Sequence, residues 1–345
     1  MSAVNGGREQ TARLTEYLGR VLPGTGELTV AALSGGLSNE LLVISRAGEP
    51  GPRWVLRKPP AGAGGDGAHD VLREAKILSA LDGTDVPHGH VVAACDDTGV
   101  LGVPFFVMPF YDGLLLRREL PAEFDNDVGH TVMWHSLVDT LASVQTVEPS
   151  AVGLETRHSG ADYNARQLDR WLKILAGYQH RRIPQLGEVG RWLSADPPAP
   201  QRISLIHGDY GLHNVLFERG EPRVQVILDW ETAKGGDPLV DLGHFLSAWL
   251  RGDDHRRWFG ARPELDLSGF PPASVLAGRY AAATGISVDR LDWYLAFARL
   301  RIAAILEGSY ARFLRGDSKR TDFAALGERV TNIADQALAI TCGEA

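Results

Sequence analysis

An α+β protein in two parts is predicted here: a small antiparallel sheet carrying one helix, then a larger, mainly helical region. Three features of the sequence predict it. Short β-like runs crowd the first third of the chain, and strands this close together favour antiparallel pairing, because parallel neighbours need long crossovers. After Asp112-Gly113 the hydrophobic spacing becomes helical. Only two short strand-like runs interrupt that helical part.

In chain order, residues 8–21 put Leu14, Tyr17, Leu18 and Val21 on one helical face. TVAAL (29–33), ELLVIS (40–45) and RWVLRK (53–58) follow as strands separated by Gly, Ser and Pro clusters. Residues 68–81 read as a helix with Val71, Ala75, Leu78 and Leu81 along one face. Two more strands fit 90–97 and 104–110. Helical patterns then cover 131–147, 164–178, 239–251 and 291–315, with strands at 203–207 and 224–230. Residues 194–201 (SADPPAPQ) and 261–272 (ARPELDLSGFPP) have linker composition. The expected division is 1–112 and 113–345, with the hinge at about 108–113. No internal repeat is visible.

The 345 residues are 44% hydrophobic and 23% charged, enough for a sizeable core. Thirty-five basic against 43 acidic side chains give a net charge of −8. That argues against general nucleic-acid binding and against polybasic membrane attachment. Cys95 and Cys342 alone cannot build a disulfide framework or a cysteine zinc site. The N-terminus has no apolar signal-peptide core, and the longest apolar stretch, 100–110, is about half a membrane span. A cytoplasmic protein is expected, and nothing in the sequence speaks to its oligomeric state.

Chemistry concentrates in HGDYGLHN, His207 to Asn214, and in Asp229 of ILDW, fifteen residues after Asn214. Apolar strands deliver both segments. Two carboxylates and an amide at strand ends suit a hard cation such as Mg²⁺ and a reacting hydroxyl. Phosphoryl transfer uses such a set.

HGDxxxxN, then ILDW, then GGDPLVDLG resembles the aminoglycoside phosphotransferase and choline kinase-like family, over roughly residues 28–315. The resemblance implies a bilobal protein-kinase-like fold and ATP- and Mg²⁺-dependent phosphorylation of a small-molecule hydroxyl. Residues 1–112 would then form the nucleotide-binding lobe, and 113–345 the catalytic and substrate-binding lobe. By this resemblance Asp209 is the catalytic aspartate, while Asn214 and Asp229 are metal ligands. His207 and Asp241 brace the catalytic loop, and Asp237-Pro238 fixes a turn. LSGGLSNE (33–40) would cover the nucleotide phosphates with Ser34, Gly35, Gly36 and Ser38. Arg57 stands where protein kinases carry a lysine, as in choline kinase-like relatives, and a guanidinium can grip phosphate bidentately. Glu74 would hold Arg57, whereas Lys58 should point to the opposite strand face. Met108 would back the adenine pocket, with the Pro109 carbonyl and the Tyr111 N–H reading the adenine edge. WVLRKPP, DWETAKGGDP and WYLAFARLRIAAILEGSYARFLRG resemble a subgroup related to kinase-like domains fused to acyl-CoA dehydrogenases in animals. Gln145 stands where many relatives carry a histidine.

Two acceptor classes follow. Glu231 and Asp237 could attract the ammonium groups of an aminoglycoside. Arg166, Arg170, Arg299, Arg301, Arg312 and Arg315 could instead receive a hydroxyacyl-CoA or similar anionic metabolite. A kinase-fold module that binds nucleotide or acyl-CoA without chemistry is the alternative, but it would be marked by loss of Asp209, Asn214 or Asp229, and all three are present. A zinc hydrolase built on His207, Asp209 and His213 leaves Arg57 and Glu74 without a role.

Overall fold

The computed structural model describes residues 2–33, 39–60, 70–116, 120–154, 160–178, 180–247, 269–318 and 320–343, with side chains from residue 9 onwards. The chain forms two compact units. Met1–Gly113 with Val226–Thr232 makes the first, and Leu114–Gln225 with Ala233–Ala345 makes the second.

In the first unit a helix, α1 (Ser2–Val21), precedes strands β1 (Leu28–Leu33), β2 (Glu40–Arg46) and β3 (Pro52–Lys58). Helix α2 (Val71–Ala80), β4 (Ala93–Cys95), the short helix α3 (Thr98–Leu101) and β5 (Phe105–Pro109) complete it. The sheet order is β1-β2-β3-β5-β4, with every pair antiparallel. Leu14, Leu18 and Leu22 pack with Ile44, Trp54, Leu56, Phe105 and Val107 in one apolar cluster. Alternation along β3 therefore turns Trp54 and Leu56 to one face and Val55 and Arg57 to the other. Helix α2 starts where the Asp70 side chain accepts the Arg73 N–H at 2.9 Å, satisfying one free donor of the first turn. Its Val71, Ala75 and Leu78 are buried.

The expected strand 90–97 shrinks to Ala93–Cys95, because His88 and His90 turn towards Asp82. The expected strand 224–230 ends at Ile227. Asp229 there takes φ +64°, the left-handed region, and a single 3₁₀ turn, Trp230–Thr232, follows.

The second unit contains α4 (Asp127–Val144), α5 (Tyr163–Tyr178) and α6 (Pro184–Ala195). Short strands β6 (Ser204–Ile206), β7 (Val215–Phe217), β8 (Val224–Ile227, running on into the first unit) and β9 (Lys234–Gly236) come next. Among the described residues, four helices follow: α7 (Pro238–Ser247), α8 (Ala273–Thr284), α9 (Leu291–Leu314) and α10 (Leu326–Thr341). Ala303 and Ala304 of α9 pack against Val330, Ile333 and Ala334 of α10 and Leu175 of α5. β6 and β9 pair antiparallel, with Ile206 opposite Lys234.

Gln145 just past α4 is buried at 1% exposure. Its Nε2 donates to the Pro238 carbonyl at 2.9 Å, and its Oε1 accepts the Tyr280 hydroxyl. An amide can donate and accept at once, so it satisfies both neighbours.

Helices α6, α8 and α10 were not anticipated by spacing. α6 carries two glycines and α8 is mostly small residues, which blurs their periodicity. α10 does carry the signal, since Val330, Ile333, Ala334, Ala337 and Ile340 repeat at helical intervals and are buried. Among the described residues, no helix is long and apolar enough to cross a membrane.

Close approach of α7 to α9 depends on Gly243, where a Cβ would lie 2.7 Å from the Tyr294 carbonyl oxygen. Gly243→Ala should therefore force the two helices apart and cost about 1–3 kcal/mol. Urea denaturation of the two proteins checks this, with no change in midpoint as the contrary result.

Candidate functional site

In the first unit the site is built around Arg57. Its strand position points it to the face that α2 covers, and it is buried at 7% exposure. A buried guanidinium needs carboxylates, and three surround it. Glu74 Oε2 lies 2.8 Å from Nε. Asp229 Oδ1 and Glu231 Oε2 lie 2.5 and 3.2 Å from Nη2. Glu74 Oε1 also accepts the Trp230 N–H at 3.1 Å, so one side chain of α2 holds both the arginine and the turn after Asp229. Arg73 Nη1 reinforces that turn by donating to the Glu231 carbonyl at 3.2 Å. The Trp230 indole N–H donates to the Ile227 carbonyl at 3.1 Å, and Asn39 donates to Glu231 Oε2 at 2.9 Å. Lys58 points the other way and pairs with Glu40.

Three carboxylates against one guanidinium leave an excess of negative charge. Burial first, and then the Asp229 and Glu231 carboxylates, push Glu74 up to about 7 despite the pull of Arg57. The guanidinium is held above its ordinary value, because its three carboxylates outweigh burial. Excess negative charge and an Asp229 carboxylate that is 31% exposed are what a divalent cation would neutralise, so the residues fit Mg²⁺.

In the second unit the sequence HGDYGLHN follows β6. Asp241 on α7 is fully buried and accepts the backbone N–H of His207 at 2.6 Å and of Gly208 at 2.8 Å. That fixes the backbone entering Asp209. Asn214 Nδ2 donates to Asp209 Oδ2 and to the Asp209 carbonyl, both at 2.9 Å. His213 Nε2 meets Oδ2 at 3.2 Å, and His244 Nε2 meets Oδ1 at 3.0 Å. Burial would raise the Asp209 carboxyl, but hydrogen bonds from His213 and His244 and their charge hold it well below the usual carboxylate range. Asn214 adds an amide oxygen of the hard type that Mg²⁺ accepts. His207 is fully buried with Nδ1 accepting the Asp209 N–H at 3.3 Å, so it braces the loop. The zinc set of His207, Asp209 and His213 is thereby replaced: the atoms that cluster are those of Asp209, His213 and His244.

Sequence reasoning missed His244 as a partner of Asp209. Its signal was present, since His244 lies three residues after Asp241 on α7 and therefore shares its face. Asp237 is fully buried, with Oδ2 accepting Asn164 Nδ2 at 2.6 Å and the Tyr294 hydroxyl at 2.7 Å, so it is not open to a ligand. Met108 and Pro109 lie in β5 opposite Val55 and Trp54. Tyr111 is half-buried, its hydroxyl accepting the His90 N–H at 3.1 Å. Ser34, Gly35, Gly36 and Ser38 lie outside the described residues.

Residues 29–276 match the phosphotransferase enzyme family. Human acyl-CoA dehydrogenase family member 11 is 30% identical over 342 residues, covering 95% of this chain and 42% of that protein. The chain thus spans about two fifths of the length of the first curated relatives it matches. A candidate aminoglycoside phosphotransferase from Ralstonia eutropha superposes with a TM-score of 0.80 at 30% identity, covering 96% of this chain and 98% of that one. Choline kinase from Cryptosporidium parvum shares the fold with a TM-score of 0.65 at 11% identity, covering 97% and 95%.

The Glu74 shift has a thermodynamic consequence. Between its ordinary 4.5 and about 7, folded Glu74 keeps a proton that the unfolded chain has lost. Stability from this group is therefore greatest below 4.5, falls as pH rises to about 7 and then levels off. Urea midpoints of Mg²⁺-free protein across that window should show the decline, and Glu74→Gln should flatten it; an equal slope in both proteins would contradict the assignment.

Proposed function

Because the chain belongs to the phosphotransferase enzyme family, we propose that it transfers the γ-phosphoryl group of ATP to a hydroxyl of a small molecule with Mg²⁺ bound. The observation that carries this reading is the Asp209 carboxylate, held by donors on three sides with its pKa depressed. A carboxylate of that kind is a weak base but a well-aimed acceptor. It orients the attacking hydroxyl by taking its hydrogen bond. Phosphoryl transfer through a loose transition state asks little more of the nucleophile's partner.

Arg57 would contact the α- and β-phosphates with a charge that is never lost. Glu74 fixes it, and the Trp230 N–H bond to Glu74 sets the direction of the chain leaving Asp229. Asp229 and Asn214 would offer the oxygen ligands. When bound, Mg²⁺ would neutralise charge on the β- and γ-phosphate oxygens. Ser34, Gly35, Gly36 and Ser38 are assigned to the phosphate cover, and Met108, Pro109 and Tyr111 to the adenine side.

An anionic acceptor is favoured by the charges of the second unit. Lys234 donates to Gln167 at 3.2 Å, and burial, then the Arg301 and Arg170 charges, push it down to about 8. Arg301 is buried and donates to the Gly208 carbonyl at 3.0 Å. Of the two carboxylates expected to attract ammonium groups, Asp237 is closed off and Glu231 is engaged by Arg57 and Asn39. Two of the expected arginines are in ion pairs: Arg166 with Asp162, and Arg315 with Asp317 at 2.9 Å. The positive charge of Lys234 and the buried Arg301 suits a hydroxyacyl-CoA or similar acidic metabolite, and the similarity to acyl-CoA dehydrogenase family member 11 supports that class.

ADP release across hydroxyacyl-CoAs, aminoglycosides, choline and sugars tests the acceptor. With the acceptor found, Asp209→Asn should keep nucleotide binding while lowering kcat by roughly 10²–10⁴-fold; unchanged kcat would remove Asp209 from the mechanism. Calorimetry with a non-hydrolysable ATP analogue should show Mg²⁺-dependent binding that Asp229→Ala loses. Binding of the analogue with no turnover on any acceptor would favour the non-catalytic module instead.

A further inference from the structure

Asp82, His88 and His90 lie in the first unit, and none has a role in the phosphotransferase reading. One ligand-capable atom of each lies within 4.8 Å of the others. His88 is the informative member. Its side chain is 3% exposed, and its Nδ1 lies 2.7 Å from the Val86 carbonyl oxygen. A carbonyl only accepts, so Nδ1 carries a proton. In the neutral ring Nε2 is then an acceptor too, yet it faces Asp82 Oδ1 at 3.1 Å. Two acceptors at that distance repel unless a cation lies between them. His90 Nδ1 approaches the same Oδ1 at 2.6 Å, so one carboxylate oxygen is the meeting point of two imidazole nitrogens.

The surroundings hold this arrangement in place. Asp82 follows Leu81, the residue that caps the end of α2, and the His90 N–H donates to the Tyr111 hydroxyl. An Nδ1–H to carbonyl bond is also the outer contact that sets the tautomer of metal-bound histidines. We propose that Asp82, His88 and His90 form a binding site for a divalent first-row transition metal of the zinc class. Two imidazoles and a carboxylate supply three ligands, and water completes the shell on the side where His90 is 63% and Asp82 51% exposed. Ligand atoms around tetrahedral zinc lie about 3.3 Å apart, so the contact with His90 has to widen by under about 1 Å, which an exposed ring can supply. The bound ion would tie the end of α2 to the loop before β4.

A proton on His88 Nε2 is the competing occupant, and metal titration separates the two. The full chain is stripped with chelator and titrated with zinc chloride against a chromophoric competitor. His213→Ala serves as the background, because it breaks the second His/Asp group at Asp209. That protein should bind one equivalent of zinc at micromolar concentration or tighter. Adding His90→Ala or Asp82→Asn, both at exposed positions, should weaken binding beyond the roughly 10–100-fold that loss of an outer contact costs. No zinc binding by the background protein would leave the proton as occupant and overturn the proposal. Equal affinity in the double variants would overturn it as well.

Discussion

A guanidinium taken out of water must be met by opposite charge, and in the first unit that demand organises everything near it. Arg57 is placed on the covered face of the sheet by the alternation of β3, and Glu74 is brought to it by α2. Removing one member of such a buried pair typically costs about 3–5 kcal/mol, because the other charge is left stranded. The same glutamate accepts the Trp230 N–H, so the ion pair and the turn carrying Asp229 form one network. Asp229 adopts a left-handed backbone conformation that most side chains avoid. Asp tolerates it better than most, and the contacts of Arg57, Glu74 and Arg73 around the turn hold it there.

The second unit solves a similar problem with backbone donors. Two consecutive N–H groups, of His207 and Gly208, are buried with the chain and would be orphaned without an acceptor. Asp241 supplies both carboxylate oxygens to them. The helix that carries Asp241 also carries His244, and its approach to α9 through Gly243 sets where both side chains stand. Asp209 is thus aimed by groups that are themselves fixed, which is what a short-range chemical role requires.

Much of this was legible in the residues. The strands of the first sheet and α2 carry plain apolar runs or periodicity, the long α9 a sustained apolar helical stretch, and the HGDxxxxN, ILDW and GGDPLVDLG segments carry the resemblance by type and order. Glu74 and Arg57 could be paired before any coordinates, because the resemblance tied them together. Legibility failed where local and tertiary preferences part. Apolar spacing extends the strand at 224 through Asp229, but the turn at Asp229 is imposed by contacts with Arg57 and α2, residues far away in the chain. Likewise the run from 90 to 97 alternates well enough for a strand, yet His90 is drawn to Asp82.

The sequence by itself determined the family, the strands of the first sheet and the residue types proposed for phosphoryl transfer, because these depend on residue type and spacing along the chain. Only the tertiary structure decided which of those side chains are free to act. Asp237 is spent on Asn164 and Tyr294, Gln145 bridges Pro238 and Tyr280, and His244 joins Asp209 from another helix. The reason is physical: a polar group's role depends on which partners burial brings within hydrogen-bond distance, and those partners lie up to 135 residues away in these three cases.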